Sequence, residues 1–469
     1  MDGSNLGILT LIPVLSFFVI AFVTKKCILS IMVSGILGYI LYYKAGFIQP
    51  TLDALIDATT DWDNNYIIVI CLLFGCLVQL LRQSKGATAI GDFARKYVKN
   101  EKQVLFLTWL CGIIIFVDDY LSILVTANCI MPLSDEQKTP REMLCYIINT
   151  TSAPVCIIIP ISAWVVFFSG IFADQDEASV VGSSAMDIYY HIMPYFFYPF
   201  LCVIFVLLVI LGVVPKMGGI KKAYKRVEET GQLWPESSAM QNQGDEMGDV
   251  MGAAADNSQE EEKEITPHLW AFVLPMAAVI GVTLWQDILW GVCAGIAMCF
   301  ILFIPTRIMS LSKFCNACYK GLEDMLFIAV VLATSLFYRD AIELIGLPDY
   351  LIDVVGPLMS AAWLPAISFL VIGLVCFATG NIWSIPAVCT PIIVPIAAAA
   401  GTNIALTLGA IISAACFGAQ ACFYSDVTLL SASACRINNV DYGIAQMPYI
   451  IIVTAITFVA YVIAGFVML

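Results

Sequence analysis

Residues 104–131 form an apolar stretch long enough to cross a membrane, yet both of its flanks are basic and its middle carries Asp118 and Asp119. A bilayer's hydrocarbon core takes about 20 apolar helical residues, and lysine and arginine in short loops gather on the cytoplasmic side. One flank holds Arg82, Lys85, Arg95, Lys96, Lys99 and Lys102; the other holds Lys138 and Arg141. A segment whose ends share one side is not a crossing. It reads as a re-entrant hairpin of two half-helices with the aspartates at its tip. A carboxylate at that depth costs roughly 2.5–3.5 kcal/mol on the most lenient scale, and irregular backbone survives there only inside protein or against a wet cavity. The acidic pair is therefore a candidate ion or proton site, the plainer alternative being a pair that only caps a helix.

The rest of the chain agrees with a membrane setting. Its 469 residues are 60% hydrophobic and 12% charged, where a soluble domain carries roughly 25% charge. Apolar runs at 6–24, 27–43, 66–82, 143–170, 188–214, 268–285, 288–304, 325–342, 403–434 and 446–469 are the expected spans. The first is expected to be a retained span, because residues 1–5 lack the basic region of a signal peptide. The net charge of −14 owes much to 227–264, and the 17 cysteines show no zinc-type or thioredoxin-type spacing. Residues 44–65, with Asp53, Asp57, Asp61 and Asp63, read as a solvated extracellular loop. Residues 215–266, rich in Gly, Ser, Asn, Gln and Glu, read as a disordered cytoplasmic linker behind a basic start at Lys216, Lys221, Lys222, Lys225 and Arg226.

The second half echoes the first. Phe116 of FVDDYLSILV and Phe377 of FATGNIWSIPAV stand at the same offset as Lys25 and Gln286, and Met193-Pro194-Tyr195 recurs as Met447-Pro448-Tyr449. Five crossings and a hairpin per copy invert the second copy, and matching turns are basic in one copy and acidic or neutral in the other. The expected architecture is an all-α polytopic membrane protein: an inverted-repeat transporter with about ten spans plus two re-entrant hairpins. Its repeats cover 1–214, with hairpin 104–131, and 267–469, with hairpin 363–400, on either side of the linker.

The second tip, Ala378-Thr379-Gly380-Asn381-Ile382-Trp383-Ser384, precedes Pro386, Pro391 and Pro395. Glycine relaxes the backbone, proline frees carbonyls, and Thr379, Asn381 and Ser384 offer neutral oxygens. Two adjacent crossings carry similar breaks, at Asn149–Pro154 with Ser152, and at Tyr424–Thr428 with Ser425. Asp426 is the third acid that this topology buries, and no basic residue falls within the hairpins or 403–434. Asp118, Asp119 and Asp426 are the expected ion and proton sites, with sodium at Asp119, Asp426, Asn381 and Thr379, and Ser152, Ser384, Ser425 and Thr428 as supporting ligands. Arg339, Asp340 and Glu343 read as an ion cluster at a helix end. His191 and His268, at span starts, are assigned no proton chemistry, and Trp164 and Trp383 are read as packing residues.

The run FVDDYLSIL with MPLSDEQKTPREMLCYIINTTSAPVCIIIPISAW, and the pairing of ATGNIWSIPAVCTPIIVP with YSDVTLLSASA, resemble the NhaC-type sodium/proton antiporters over essentially the whole chain. The resemblance implies a scaffold of outer spans, a mobile unit of hairpins and broken helices, and often a homodimer. It places the family's acidic pair on Asp118 and Asp119, its Ser-Ala-Pro on Ser152 to Pro154, and its Ser-x-Asp-Thr-Thr segment on Ser425, Asp426 and Thr428. Phe423 and Tyr424 replace the family's usual Ser-Pro, and Val427 replaces a Thr. The expected activity is exchange of sodium for protons by alternating access in the plasma membrane, with the transported ions in place of any cofactor and no nucleic-acid partner. The alternative is a sodium- or proton-coupled carrier of malate, lactate or an amino acid. An intramembrane aspartyl protease built on Asp119 and Asp426 is disfavoured, because the glycine-flanked Asp motif of such enzymes is absent and the repeat would be unexplained.

Overall fold

The computed structural model describes residues 6–24, 27–60, 62–86, 98–239, 268–286, 288–347, 350, 360–380, 382–423 and 425–468. All regular structure among them is helical. In chain order the helices are α1 (Leu11–Thr24), α2 (Cys27–Tyr43), α3 (Ile48–Thr60), α4 (Trp62–Gln83), α5 (Glu101–Ile114), α6 (Asp119–Glu136), α7 (Arg141–Thr151), α8 (Ala153–Ile158), α9 (Ala163–Ala173) and α10 (Ala185–Ile192). They continue as α11 (Phe197–Leu211), α12 (Gly218–Thr230), α13 (Trp270–Trp285), α14 (Ile288–Phe303), α15 (Leu311–Leu344), α16 (Leu364–Thr379), α17 (Ser384–Ala399), α18 (Ile404–Ala421), α19 (Asp426–Ala434) and α20 (Asn439–Val467). The segments around 28–46 and 404–434, together with α15 and α20, are individually long and apolar enough to cross a membrane. Two helix pairs qualify across bends of 46° and 51°, and the other expected spans are shorter apolar helices.

These helices pack as two groups. The first gathers α1 to α4 with α13 to α15, the second gathers α5 to α9 with α11 and α16 to α20. In the first group α2 and α15 lie side by side and run the same way, Gly35 against Phe337 and Gly38 against Ala341. The backbones of α4 and α15 cross at Gly75 and Gly321, where a Cβ on either residue would lie 2.1–2.2 Å from the other's carbonyl oxygen. Small residues let helices approach in this way where lipid offers no hydrophobic drive. In the second group α7 and α18 are buried almost throughout, as expected of a helix that is apolar or internally satisfied on every face.

Both expected hairpins are present. Helices α5 and α6 pack against each other on either side of the break at 115–118, and α16 packs on α17 across the break at 380–383. Gly380 closes α16 with a left-handed φ of 68° and returns its N–H to the Cys376 carbonyl at 2.8 Å; only glycine takes that conformation without strain. Thr402 Oγ1 donates to the Ala361 carbonyl at 3.0 Å, so the second hairpin leaves where it enters. Its base lies against the end of α20, with Trp363 on Phe466. The first hairpin's base lies near the start of α20, on α12 and the residues after it. There Tyr224 bonds Glu101 at 2.5 Å and the Met217 N–H bonds Tyr449 at 2.7 Å. Helix α20 has 29 residues, about 43 Å of rise, so the two hairpins penetrate from opposite ends of the molecule.

Three expectations are corrected. Residues 48–60 are not loop: α3 is amphipathic, burying Thr51 and Ala58 while Ile48, Leu52 and Ile56 stay exposed. The span expected at 325–342 is the C-terminal half of α15, which starts at Leu311 behind Ser310, whose hydroxyl accepts from Lys313 N at 3.2 Å. The beginning of the expected disordered linker is ordered. Helix α12 buries Ile220, Ala223 and Val227, and Arg226 clamps Glu142 through two bonds of 2.8 and 3.0 Å. Residues 240–266 of that linker lie outside the described residues, as do Lys25 and Lys26.

Candidate functional site

Two half-helices begin at the same place. Asp118 ends the first hairpin's break in extended conformation and accepts the Leu121 N–H at 2.8 Å, which makes it the N-cap of α6 and Asp119 the first residue of that helix. Ser425 caps α19 by accepting from Thr428 N at 3.2 Å, and Asp426 is the first residue there. Both carboxylates thus sit at helix N-termini, whose unpaired N–H groups and dipole favour negative charge. The two ends are tied together: the Tyr120 hydroxyl donates to Asp426 Oδ2 across the contact between α6 and α19. Asp119 in turn accepts from Trp164 Nε1 at 3.2 Å, at the start of α9.

The second tip reaches the same spot through its tryptophan. Trp383 lies 4.5 Å from Trp164 and 4.9 Å from Phe167, centroid to centroid, and its indole approaches Asp426. The two tryptophans read as packing residues therefore touch the acids as well. Asp118 and Asp119 are both 3% exposed. Asp426, expected to be buried, is instead exposed, because it faces a cavity of about 400 Å³ lined by Gln79, Arg82, Asp118, Tyr120, Asp324 and Asp426 among apolar neighbours such as Leu121, Leu124 and Leu430.

The expected neutral ligands have mixed fates. Ser152 bonds the Asn149 carbonyl at 3.0 Å, Thr379 the Val375 carbonyl at 2.8 Å, and Ser425 the Ala419 carbonyl at 2.6 Å. Thr428 reaches the carbonyls of Ala419 and Gln420 at 3.2 and 3.3 Å. The hydroxyl protons of Ser152, Ser425 and Thr428 satisfy carbonyls at the helix breaks and that of Thr379 bonds back within α16, which leaves oxygen lone pairs as the groups available to a cation. Ser384 is fully buried at the start of α17, and Asn381 lies outside the described residues. Among those described, no three His, Cys, Asp or Glu side chains converge as a metal-holding group; a cation at Asp119 or Asp426 must draw on neutral oxygens.

Behind the acids the two broken crossings are joined by a buried polar network. Asn149 Nδ2 donates to Tyr442 at 2.7 Å, Tyr442 to Gln446 Oε1 at 2.6 Å, and Gln446 Nε2 to the Gln420 carbonyl at 2.8 Å. Gln420 Nε2 donates to Thr150 Oγ1 and Tyr198 donates to Gln420 Oε1, both at 2.7 Å. Asn149 Oδ1 alone of these side-chain atoms is buried without a partner; the remaining bonds specify one packing, so the network sets the register of α7 against α18 and α20.

Sequence reasoning missed Arg82 and Asp324. The expectation that no basic residue serves the acids holds for the hairpins and 403–434 alone: Arg82 comes from the end of α4 and lines the same cavity as Asp118 and Asp426. Asp324 stands one residue before the expected span 325–342, and its helix binds α4 through Gln79. The only sequence signal for either was a charged residue next to an apolar run, which positive-inside reasoning assigns to topology.

An all-helical membrane chain in which the tip of one hairpin and the start of a second half-helix bring Asp118 and Asp426 to one cavity, with the other hairpin's Trp383 packed beside them, is a membrane transporter, not an enzyme. The chain belongs to the Na+/H+ antiporter family, whose model matches residues 155–466. An uncharacterized protein of Haemophilus influenzae is 22% identical over 494 residues, covering 97% of this chain and 91% of that protein. Among solved structures the chain is similar to MtrF of Neisseria gonorrhoeae, described within a class of antimetabolite efflux pumps, at a TM-score of 0.60 and 12% identity over 90% of this chain and 84% of that one. It is likewise similar to the YdaH transporter of Alcanivorax borkumensis, at a TM-score of 0.59 and 10% identity over 90% and 89% of the two chains. At these identities the structures share the fold alone.

Proposed function

We propose that this protein exchanges sodium for protons across the plasma membrane by alternating access, with its two halves as inverted copies and α12 on the cytoplasmic side. The observation that carries the reading is the meeting of Asp119 and Asp426 at two half-helix N-termini bridged by Tyr120. Sodium and protons compete there, because a carboxylate that has taken a proton no longer attracts a metal cation. Trp164 holds Asp119 in place, Tyr120 holds Asp426, and the freed carbonyls and hydroxyl oxygens of the breaks complete a dehydrated cation's shell. Asp119→Asn keeps the shape of the site and removes its exchangeable charge. Reconstituted in proteoliposomes, it is expected to fold and to lose sodium-driven proton movement altogether; retained exchange would take Asp119 out of the site.

Arg82 supports a second reading. A cavity of about 400 Å³ with an arginine, three aspartates and apolar walls is of the size and character of small-molecule sites, and Arg82 offers a partner for a cargo carboxylate. On this reading the cargo is a small organic anion or amino acid coupled to sodium or protons. Counterflow of labelled malate, lactate or tyrosine, suppressed in Arg82→Gln, decides between the two.

A further inference from the structure

The cavity is lined from α4, α6, α15 and α19, and the interior that leads from Asp119 along α9 is filled. Helix α9 leads away from the site: Trp164 at its start holds Asp119, and its interior continues with Phe167, Phe168 and Phe172, all at most 2% exposed. These rings interlock with Trp383, Phe168 packing on Trp164 at 5.9 Å and on Phe172 at 5.7 Å. Just past the end of α9 stands Asp174. Its carboxylate pairs with Arg339 of α15, and its backbone carbonyl accepts from Arg339 Nη1 at 2.7 Å. Arg339 also faces Asp340 at 3.1 Å and Glu343 at 3.6 Å. Arg339 lies along α15 from the cavity residue Asp324 by about 22 Å. The sequence pattern of Arg339, Asp340 and Glu343 alone describes a helix-end cluster; Asp174 turns it into a bond between the two helix groups.

We propose that Arg339 and Asp174 are the gate on the side away from the cavity, holding α9 to α15 in the state seen here and separating in every transport cycle. The aromatic layer beneath them is the seal that the pair keeps shut. Helix α15 is anchored along α2, α3 and α4, whereas α9 continues the broken crossing beside the acids, so their separation opens a path to Asp119 from the second side. Asp340 and Glu343 share Arg339's helix and stay paired with it when it leaves Asp174, so the guanidinium keeps a counter-charge in both states and the contact is reversible. The inference rests on the chain being an alternating-access carrier and not on the identity of its cargo.

The test joins a lock to a release. Arg339→Cys/Asp174→Cys in proteoliposomes is treated with a short bis-methanethiosulfonate cross-linker, with each single variant treated identically to account for native cysteines. Sodium-driven proton flux is expected to fall to the level of empty vesicles on cross-linking and to return on reduction. Independently of cargo, Arg339→Gln is expected to raise hydrogen–deuterium exchange over residues 163–180 relative to the wild type. Undiminished flux in verified cross-linked protein, or unchanged exchange over 163–180 in Arg339→Gln, overturns the gate. Wild-type vesicles silent toward sodium would count against the sodium reading alone and leave the exchange measurement to decide the gate.

Discussion

At the scale of single residues, the unusual investment is in the neighbours of the carboxylates. Asp118 spends one oxygen on its own helix, Asp119 is held by an indole, and Asp426 is held by a phenol from the opposite helix. Tyr120 is therefore a positioning residue, tying the first hairpin to the start of α19. A hydrogen bond to a charged acceptor is worth about 1.5 kcal/mol at the low end, roughly tenfold in an equilibrium. Tyr120→Phe is expected to preserve the fold while weakening apparent cation affinity by about that factor, read from the sodium dependence of proton flux. An unchanged half-saturation concentration would reduce Tyr120 to packing.

Among the elements, α12 is the one with consequences out of proportion to its length. Tyr224 bonds Glu101 at the start of the first hairpin and Arg226 pairs with Glu142 at the start of α7, while Ser238, beyond the helix, accepts from Asn438 N at 2.9 Å at the turn before α20. The next strand of chain adds Leu233, whose carbonyl accepts the Arg141 N–H at 3.0 Å, and Trp234, whose ring lies 4.8 Å below the Arg141 guanidinium. Arg141 itself is paired with Asp135 at 2.7 Å, so both ends of the hairpin are stitched to this segment. Glu142 has a side chain only 4% exposed, and removing the partner of a buried charge costs about 3 kcal/mol or more. Arg226→Ala is expected to lower the melting temperature of the detergent-solubilised protein, and Glu142→Gln in the same chain is expected to restore most of it. A melting curve that does not move would show that α12 rests on the bundle without holding it.

For the molecule as a whole, the decisive geometry is that the hairpins penetrate from opposite ends. Asn100→Cys and Lys138→Cys, at exposed positions flanking the first hairpin, are expected to react with a membrane-impermeant maleimide from the same face, and Ser360→Cys, at the base of the second, from the other face. Labelling of residues 100 and 138 from opposite faces would dismantle the site. Much of this was legible in the linear chain. Apolar length marked the membrane elements, the shared charge of two flanks marked a segment that turns back, and Gly380, Pro154 and Ser425 marked where helices break, because each of these effects acts within a few residues of its cause. Asp118, Asp119 and Asp426 stood out for the same reason, as charges surrounded by hydrocarbon. The fold of 48–60 and of 218–239 was not legible, since both are polar enough to read as loop and become helices by packing on distant partners. Nor did neighbouring sequence indicate that Arg82 and Asp324 share a cavity with the acids, that Trp164 grips Asp119, or that Asp174 meets Arg339. Local chemistry determined which residues are costly to bury and where the backbone must bend; only the tertiary structure decided which of them meet, because contacts between residues far apart in the chain depend on how every helix between them packs.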